Sequence, residues 1–250
     1  MVKDNSDKDS LFSSVNNKKI SLTKHEVLLE CKNKGPNNKL LKKYKENLTC
    51  LSFIQWEAAI GLILGDVSLQ TQNKGKTYRM KFEWGDKNKL YAEHVYNLYN
   101  EWVLSPLHKK VRININNNEV VTWGFQTISH ISFNPLKDLF LLNNHKGVIN
   151  GLIKDHLTEI GLAYWFMDDG GKLDYNNNSK NQGLVLNTHS FSYEEVYNMV
   201  IELNYKFGLN TYIKLNKNRY IIVISSDSFN KFLELTYSYI IPEMRYKLPI

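Results

Sequence analysis

Apolar residues recur at helical spacing from Lys39 (Leu40, Leu41, Tyr44, Leu48, Leu51), and Phe53 to Asp66 reads as a second helix, apolar on almost every side. A helix of that kind is expected to be buried. The period then changes. In Lys76 to Trp84, the residues Tyr78, Met80, Phe82 and Trp84 alternate with Thr77, Arg79, Lys81 and Glu83, predicting a strand with one apolar and one charged face. Leu90 to Trp102 returns to helical spacing, Arg112 to Asn116 and Val120 to Gln126 read as strands, and Pro135 to Leu142 as a short helix. The first half is therefore expected to be αββαββα.

The second half repeats this order. Ile160 to Met167 is another apolar helix ending in acid, Gly183 to His189 a strand, and Tyr193 to Phe207 a helix. Thr211 to Asn216 and Tyr220 to Ser225 are strands, and Phe229 to Tyr239 is a helix. Local matches support a duplication: Ser132-Phe133-Asn134 with Ser228-Phe229-Asn230, Asp66 with Asp169, and Lys146 with Lys247, at offsets of 96, 103 and 101 residues. Two pseudo-symmetric subdomains, 39–150 and 151–250, should meet along their apolar helices. Residues 1–38 lack sustained periodicity and end at Gly35-Pro36-Asn37-Asn38, so they read as a mobile basic arm.

Charge narrows the function classes. The 250 residues hold 32 Lys plus Arg against 25 Asp plus Glu, a net charge of +7. The pI near 9.1 suits a polyanionic partner without demanding one. No apolar run approaches the ~18 residues of a membrane span, so no membrane partner is expected. Cys31 and Cys50 are too few for a disulfide framework or a four-ligand zinc site, and neither they nor the histidines suggest a nucleophilic catalyst. Asn (30) and Lys (28) far outnumber Arg (4) and Ala (4), a bias associated with AT-rich organellar genomes. Because Met1 to Ser10 carries Asp4, Asp7 and Asp9, it fits neither a secretory signal nor a transit peptide, so an organellar product would be made inside the organelle.

Each apolar helix ends in a carboxylate among small residues: Gly61-Leu62-Ile63-Leu64-Gly65-Asp66, and Ala163-Tyr164-Trp165-Phe166-Met167-Asp168-Asp169-Gly170-Gly171. One such acid is usually a helix stop, and it is unfavourable beside the negative end of the helix. Two change the picture. If Gly61 and Gly65 let the helices pack closely, Asp66 and Asp169 converge on a negative pocket suited to a hard cation such as Mg2+.

These segments resemble the paired motifs of the LAGLIDADG homing endonucleases in their single-chain form. Further strings agree with a mitochondrial, group I intron-encoded member: Gly35-Pro36-Asn37, Lys39-Leu40-Leu41-Lys42, Trp102-Val103-Leu104-Ser105-Pro106 and Tyr246-Lys247-Leu248-Pro249. The first motif departs from the family pattern at Leu64 and Val67 but keeps its acid. The resemblance implies an α/β (α+β) fold: two αββαββα subdomains whose antiparallel sheets form a DNA-binding saddle, packed through the two motif helices. It implies a monomer that cuts both strands of a long asymmetric DNA target, promoting intron mobility, inside the mitochondrion. Asp66 and Asp169 would hold Mg2+, with Mn2+ able to substitute, Gly65 and Asp168 being further metal candidates, and Lys146 and Lys247 would lie near the scissile phosphates.

Groove-facing candidates follow from the alternation: Thr77, Arg79, Lys81 and Glu83, then Arg112, Asn114 and Asn116, and in the second half Tyr212, Lys214, Asn216 and Arg219. Lys76, Lys172 and Asn187 complete the DNA-binding set. An alternative within the family is a maturase that binds its own intron RNA; a catalytically silent DNA-binding protein is disfavoured by the four paired Asp and Lys residues.

Overall fold

The structure, a computed structural model, describes residues 38–142, 145–176 and 180–250. The expected basic arm up to Asn37, with Cys31 and the Gly35-Pro36-Asn37 loop, lies outside the described residues. Asn38 belongs to the fold, since its side chain accepts from the Leu40 amide and caps the first helix.

The first half runs α1 (Lys39–Asn47), α2 (Phe53–Leu64), β1 (Ser68–Thr71), β2 (Tyr78–Gly85), α3 (Lys89–Leu98), β3 (His108–Ile113), β4 (Glu119–Gln126) and α4 (Asn134–Phe140). A small hairpin, β5 (Leu141–Leu142) with β6 (His145–Lys146), follows. The second half runs α5 (Glu159–Asp169), β7 (Gly170–Lys172), β8 (Leu184–Leu186), α6 (Tyr193–Phe207), β9 (Thr211–Asn216), β10 (Arg219–Ile224) and α7 (Phe229–Thr236). The two four-stranded antiparallel sheets share one topology, β1-β2-β4-β3 and β7-β8-β10-β9. From α2 and from α5 the order is αββαββα, the expected pattern, although its first strand in each half, β1 and β7, lies where the sequence reading placed no strand.

The axis of the molecule is the α2–α5 pair. Ser52 and Gln55 form a reciprocal capping box that starts α2, and Thr158 caps α5. Ala58 to Leu64 and Gly161 to Asp168 are buried without a break. Each Leu, Ile, Phe or Met removed from water here contributes roughly 1.5–3 kcal/mol, which sustains a helix pair that carries acids at its ends. The backbones touch: a Cβ on Gly61 would lie 1.9 Å from the Gly161 carbonyl oxygen, and one on Gly161 3.0 Å from that of Glu57.

Tyr78, Met80, Phe82 and Trp84 of β2 all face the core, at 5% exposure or less, and Phe82 stacks on Phe125 with centroids 4.3 Å apart. Leu184, Leu186, Ile222 and Ile224 do the same for the second sheet. One continuous apolar cluster, from Tyr44 to Leu248, runs through both halves.

Several sequence expectations are corrected. The third strand lies earlier than Arg112 to Asn116, and Asn114 and Asn116 belong to the turn after it. The Asn114 side-chain oxygen accepts from the Asn116 and Asn118 amides, both at 2.9 Å, which closes that turn. Lys76 sits in the β1–β2 turn, where its carbonyl accepts from the Asn134 side chain. Lys172 pairs with Leu184 on the helix side of its sheet, away from the face expected for DNA.

Candidate functional site

The two motif helices end differently. α2 stops at Leu64, Gly65 turns the chain (φ −85°, ψ −128°), and Asp66 lies beyond the helix. Its amide donates to Asp168 Oδ2 at 3.2 Å. α5 continues through Asp169, whose carbonyl accepts from the amide and side-chain Nδ2 of Asn187 at 3.0 and 2.8 Å. Asn187, expected on DNA, thus caps the second helix end. The Asp66–Asp168 bond spans the two halves, so Asp66 and Asp169 lie at adjacent helix ends.

A lysine docks on each end. Lys146 Nζ donates to the Gly65 carbonyl at 2.7 Å, and Lys247 Nζ to the carbonyls of Met167 and Asp168 at 2.5 and 2.7 Å. In both halves the ammonium therefore binds the carbonyl just before the acid. An ammonium is favourable there because helix C-termini present unpaired carbonyls and negative potential. Gly65, a metal candidate from sequence, accepts this bond on one lone pair of its carbonyl oxygen.

The protonation equilibria reflect crowding of like charges. Burial, reinforced by the Asp66 charge and opposed by Lys146 and Lys247, pushes the Asp169 carboxyl up to about 7. Asp66 is an exposed residue, yet its carboxyl has protein around much of it. It too is raised by burial, with Lys247 and Lys146 pulling it back. Burial lowers both lysines, against the pull of the three acids. Asp168 is raised furthest, by burial first and by the Asp66 charge second. Its Oδ1 accepts from Trp84 Nε1 at 3.0 Å and its Oδ2 from Asp66, so it faces the first half rather than an open pocket.

This donor set fits a hard divalent cation. Two carboxylates whose proton affinities are raised would release that electrostatic cost to a cation, and both offer oxygen ligands. Among the described residues no cluster of three His, Cys, Asp or Glu side chains forms a closed metal cage. Mg2+ tolerates so sparse a set because it keeps several waters and binds through one or two carboxylates plus phosphate oxygens.

Strand register defines the faces turned away from the helices. On the first sheet Ser68 and Gln70 of β1 share a face with Arg79, Lys81 and Glu83 of β2, with Thr122 and Gln126 of β4, and with His108, Lys110 and Arg112 of β3. Arg79 donates to Gln70 at 3.3 Å. Glu83 accepts from Lys110 at 2.8 Å and Thr122 at 3.0 Å, and Lys110 holds its carboxyl below the usual range. Thr77 lies just before β2. On the second sheet Tyr212, Lys214, Asn216 and Arg219 share one face, as expected, with Val185, Ile221 and Val223 as its floor. His108 and Lys110 were missed from sequence, although counting back from Arg112 by twos reaches both. Ser68 and Gln70 carried no signal, because a four-residue strand is too short to show a period.

Comparisons with known proteins agree with this architecture. The model of the LAGLIDADG DNA endonuclease family matches residues 56–232. The chain is 47% identical over 214 residues to a probable intron-encoded endonuclease 1 of Wickerhamomyces canadensis, covering 86% of this chain and 92% of that protein. It is 30% identical over 241 residues to the cytochrome b mRNA maturase bI2 of Saccharomyces cerevisiae, covering 92% of this chain and 53% of that one. A solved structure, the homing endonuclease I-WcaI bound to its DNA recognition sequence, superposes with a TM-score of 0.84 at 45% identity, over 88% of this chain and 97% of that chain.

Proposed function

Because the chain belongs to the LAGLIDADG DNA endonuclease family, we propose that Asp66 and Asp169 are the metal-holding acids of a homing endonuclease, each serving one strand of a duplex. The protein is a site-specific endonuclease of double-stranded DNA. The observation that carries the residue assignment is the double convergence at the helix ends: two acids side by side, each preceded by a carbonyl that binds a lysine.

Mg2+ or Mn2+ bound there would supply an activated water and offset charge on the phosphate. The chain's own groups do the rest. Asp66 and Asp169 hold the cation-binding oxygens at the end of a rigid helix pair. Lys146 and Lys247 keep ammonium groups beside them, placed to stabilise negative charge developing on the phosphoryl oxygens. Arg79, Lys81, Lys110 and Arg112 on one sheet, with Lys214 and Arg219 on the other, offer charged donors to phosphates and to guanine edges in the major groove. Two unlike faces in one chain suit an asymmetric target read by a monomer. The organellar composition and the intron-encoded relatives support synthesis and action in the mitochondrion.

The test is incubation of the purified chain with a plasmid carrying the intronless allele of its host gene. Linearisation with Mg2+ or Mn2+ and none in EDTA is expected. Asp66→Asn and Asp169→Asn should each abolish linearisation while binding at low salt persists. Wild-type cutting by either variant would return that acid to the role of a helix-end turn.

A maturase role is a second reading, favoured by the 30% identity to a cytochrome b mRNA maturase across most of the chain. Tight binding of the chain to its own intron RNA, with faster splicing, would establish it; RNA binding no stronger than to an unrelated intron would dismiss it.

A further inference from the structure

Asp168 occupies the position whose counterpart in the first half is Gly65, one residue before the acid in each motif. The two positions face each other: a Cβ on Gly65 would lie 2.5 Å from Asp168 Cβ and 2.6 Å from its Oδ2. The glycine makes room for the aspartate. Asp168 is buried, and its oxygens accept from Trp84 Nε1 on β2 and from the Asp66 amide, both belonging to the other half. The need for this support differs between the halves. Asp169 is the last residue of α5 and lies within its helical ladder. Asp66 lies beyond α2: the Gly65 amide bonds back to Gly61 and the Val67 amide to Leu62, whereas the Asp66 amide donates across the interface to Asp168.

We propose that Asp168 is a positioning residue rather than a metal ligand: it clamps the Asp66 turn from the opposite half and tethers it to the first sheet through Trp84, so one half-site borrows its geometry from the other. This rests on the reading of Asp66 as a metal-holding acid. Without the clamp the Asp66 amide has no acceptor and its carboxylate loses a fixed aim, while Asp169, set by its own helix, keeps its place. Loss of Asp168 should therefore unbalance the two strand cuts rather than abolish both.

The test uses the full chain. Asp168→Asn keeps the side-chain shape but replaces one acceptor oxygen with an amide donor, so either the Asp66 amide or the Trp84 indole faces another donor. Gly65→Ala pushes Asp168 away without altering its chemistry, and it carries the test if Asp168→Asn does not fold. Amide hydrogen exchange of the metal-free, DNA-free protein should show Asp66 exchanging at least tenfold faster in both variants, with the amides of 165–169 unchanged. Cleavage of a duplex labelled separately on each strand should show one strand slowed at least tenfold relative to the other, so that plasmid accumulates as nicked circles.

Unaltered Asp66 exchange in both variants would overturn the proposal. So would equal slowing of both strands with Asp66 still protected, the behaviour of a shared metal ligand. If Asp66→Asn itself left cutting intact, the reading of Asp66 as a metal-holding acid would fail, while the exchange result would still decide whether Asp168 holds the turn.

Discussion

Asp169 shows how one residue records the tension of the whole pocket. Its carboxyl, pushed up to about 7 from the ordinary 3.8, keeps a proton in the folded chain that the unfolded chain has released. Its contribution to stability is therefore fully present below 3.8 and is lost as pH rises toward and through 7. Asparagine has no such transition. In EDTA, the melting temperature of wild type minus that of Asp169→Asn should fall between pH 4 and pH 7 and level off above about 8. Mg2+ should flatten the curve, because a bound cation favours the anion at every pH in that window. A difference independent of pH in EDTA would remove the electrostatic account of this acid. At this scale the sequence was informative wherever a residue type repeats: Asp66 with Asp169 and Lys146 with Lys247 are legible as pairs. Asp168 was not, since its partners Gly65 and Trp84 are distant in the chain and meet it only when the halves pack.

The elements were legible where their period is long and undisturbed. The α6 helix and the β9 strand have the predicted limits, and β10 begins one residue early. Predictions slipped where turn chemistry imitates a strand. Arg112 to Asn116 alternates on paper, yet Asn side chains satisfy their own backbone and end β3 at Ile113. The α2–α5 crossing gives a sharp prediction. Gly61→Ala places a methyl 1.9 Å from a carbonyl oxygen on the partner helix, and backbone cannot rotate away as a side chain could. Overpacking of this kind costs typically 1–3 kcal/mol, occasionally more. Urea unfolding should show a loss of at least about 2 kcal/mol, with cleavage reduced further because the helix ends separate. Stability equal to wild type would mean the helices are not in backbone contact.

At the scale of the molecule, two sheets on one core gather cations on their outward faces from a modest net charge. Arg79, Lys81, Lys110, Arg112, Lys214 and Arg219 share the two outward faces, Lys110 being already paired with Glu83. Each phosphate neutralised contributes about −0.9 to the slope of log affinity against log salt, so this surface predicts a slope of about −4 or steeper for duplex DNA. Filter binding or anisotropy across 50–300 mM salt measures it; a slope flatter than about −2 would place the duplex elsewhere.

The contact of Gly61 with Gly161 also bears on how such a protein can change over time. The demand it makes is local, one glycine on each helix at the crossing, and it places no condition on the residues of either sheet's outer face. Drift on those faces is therefore unconstrained by the joint, and the faces here have diverged into a charged one and one floored by Val185, Ile221 and Val223. A half could be spliced to one from another such gene where it keeps both its crossing glycine and its side of the contacts that Asp168 makes with Gly65, Asp66 and Trp84. New target pairs would then arise by recombination of whole half-sites.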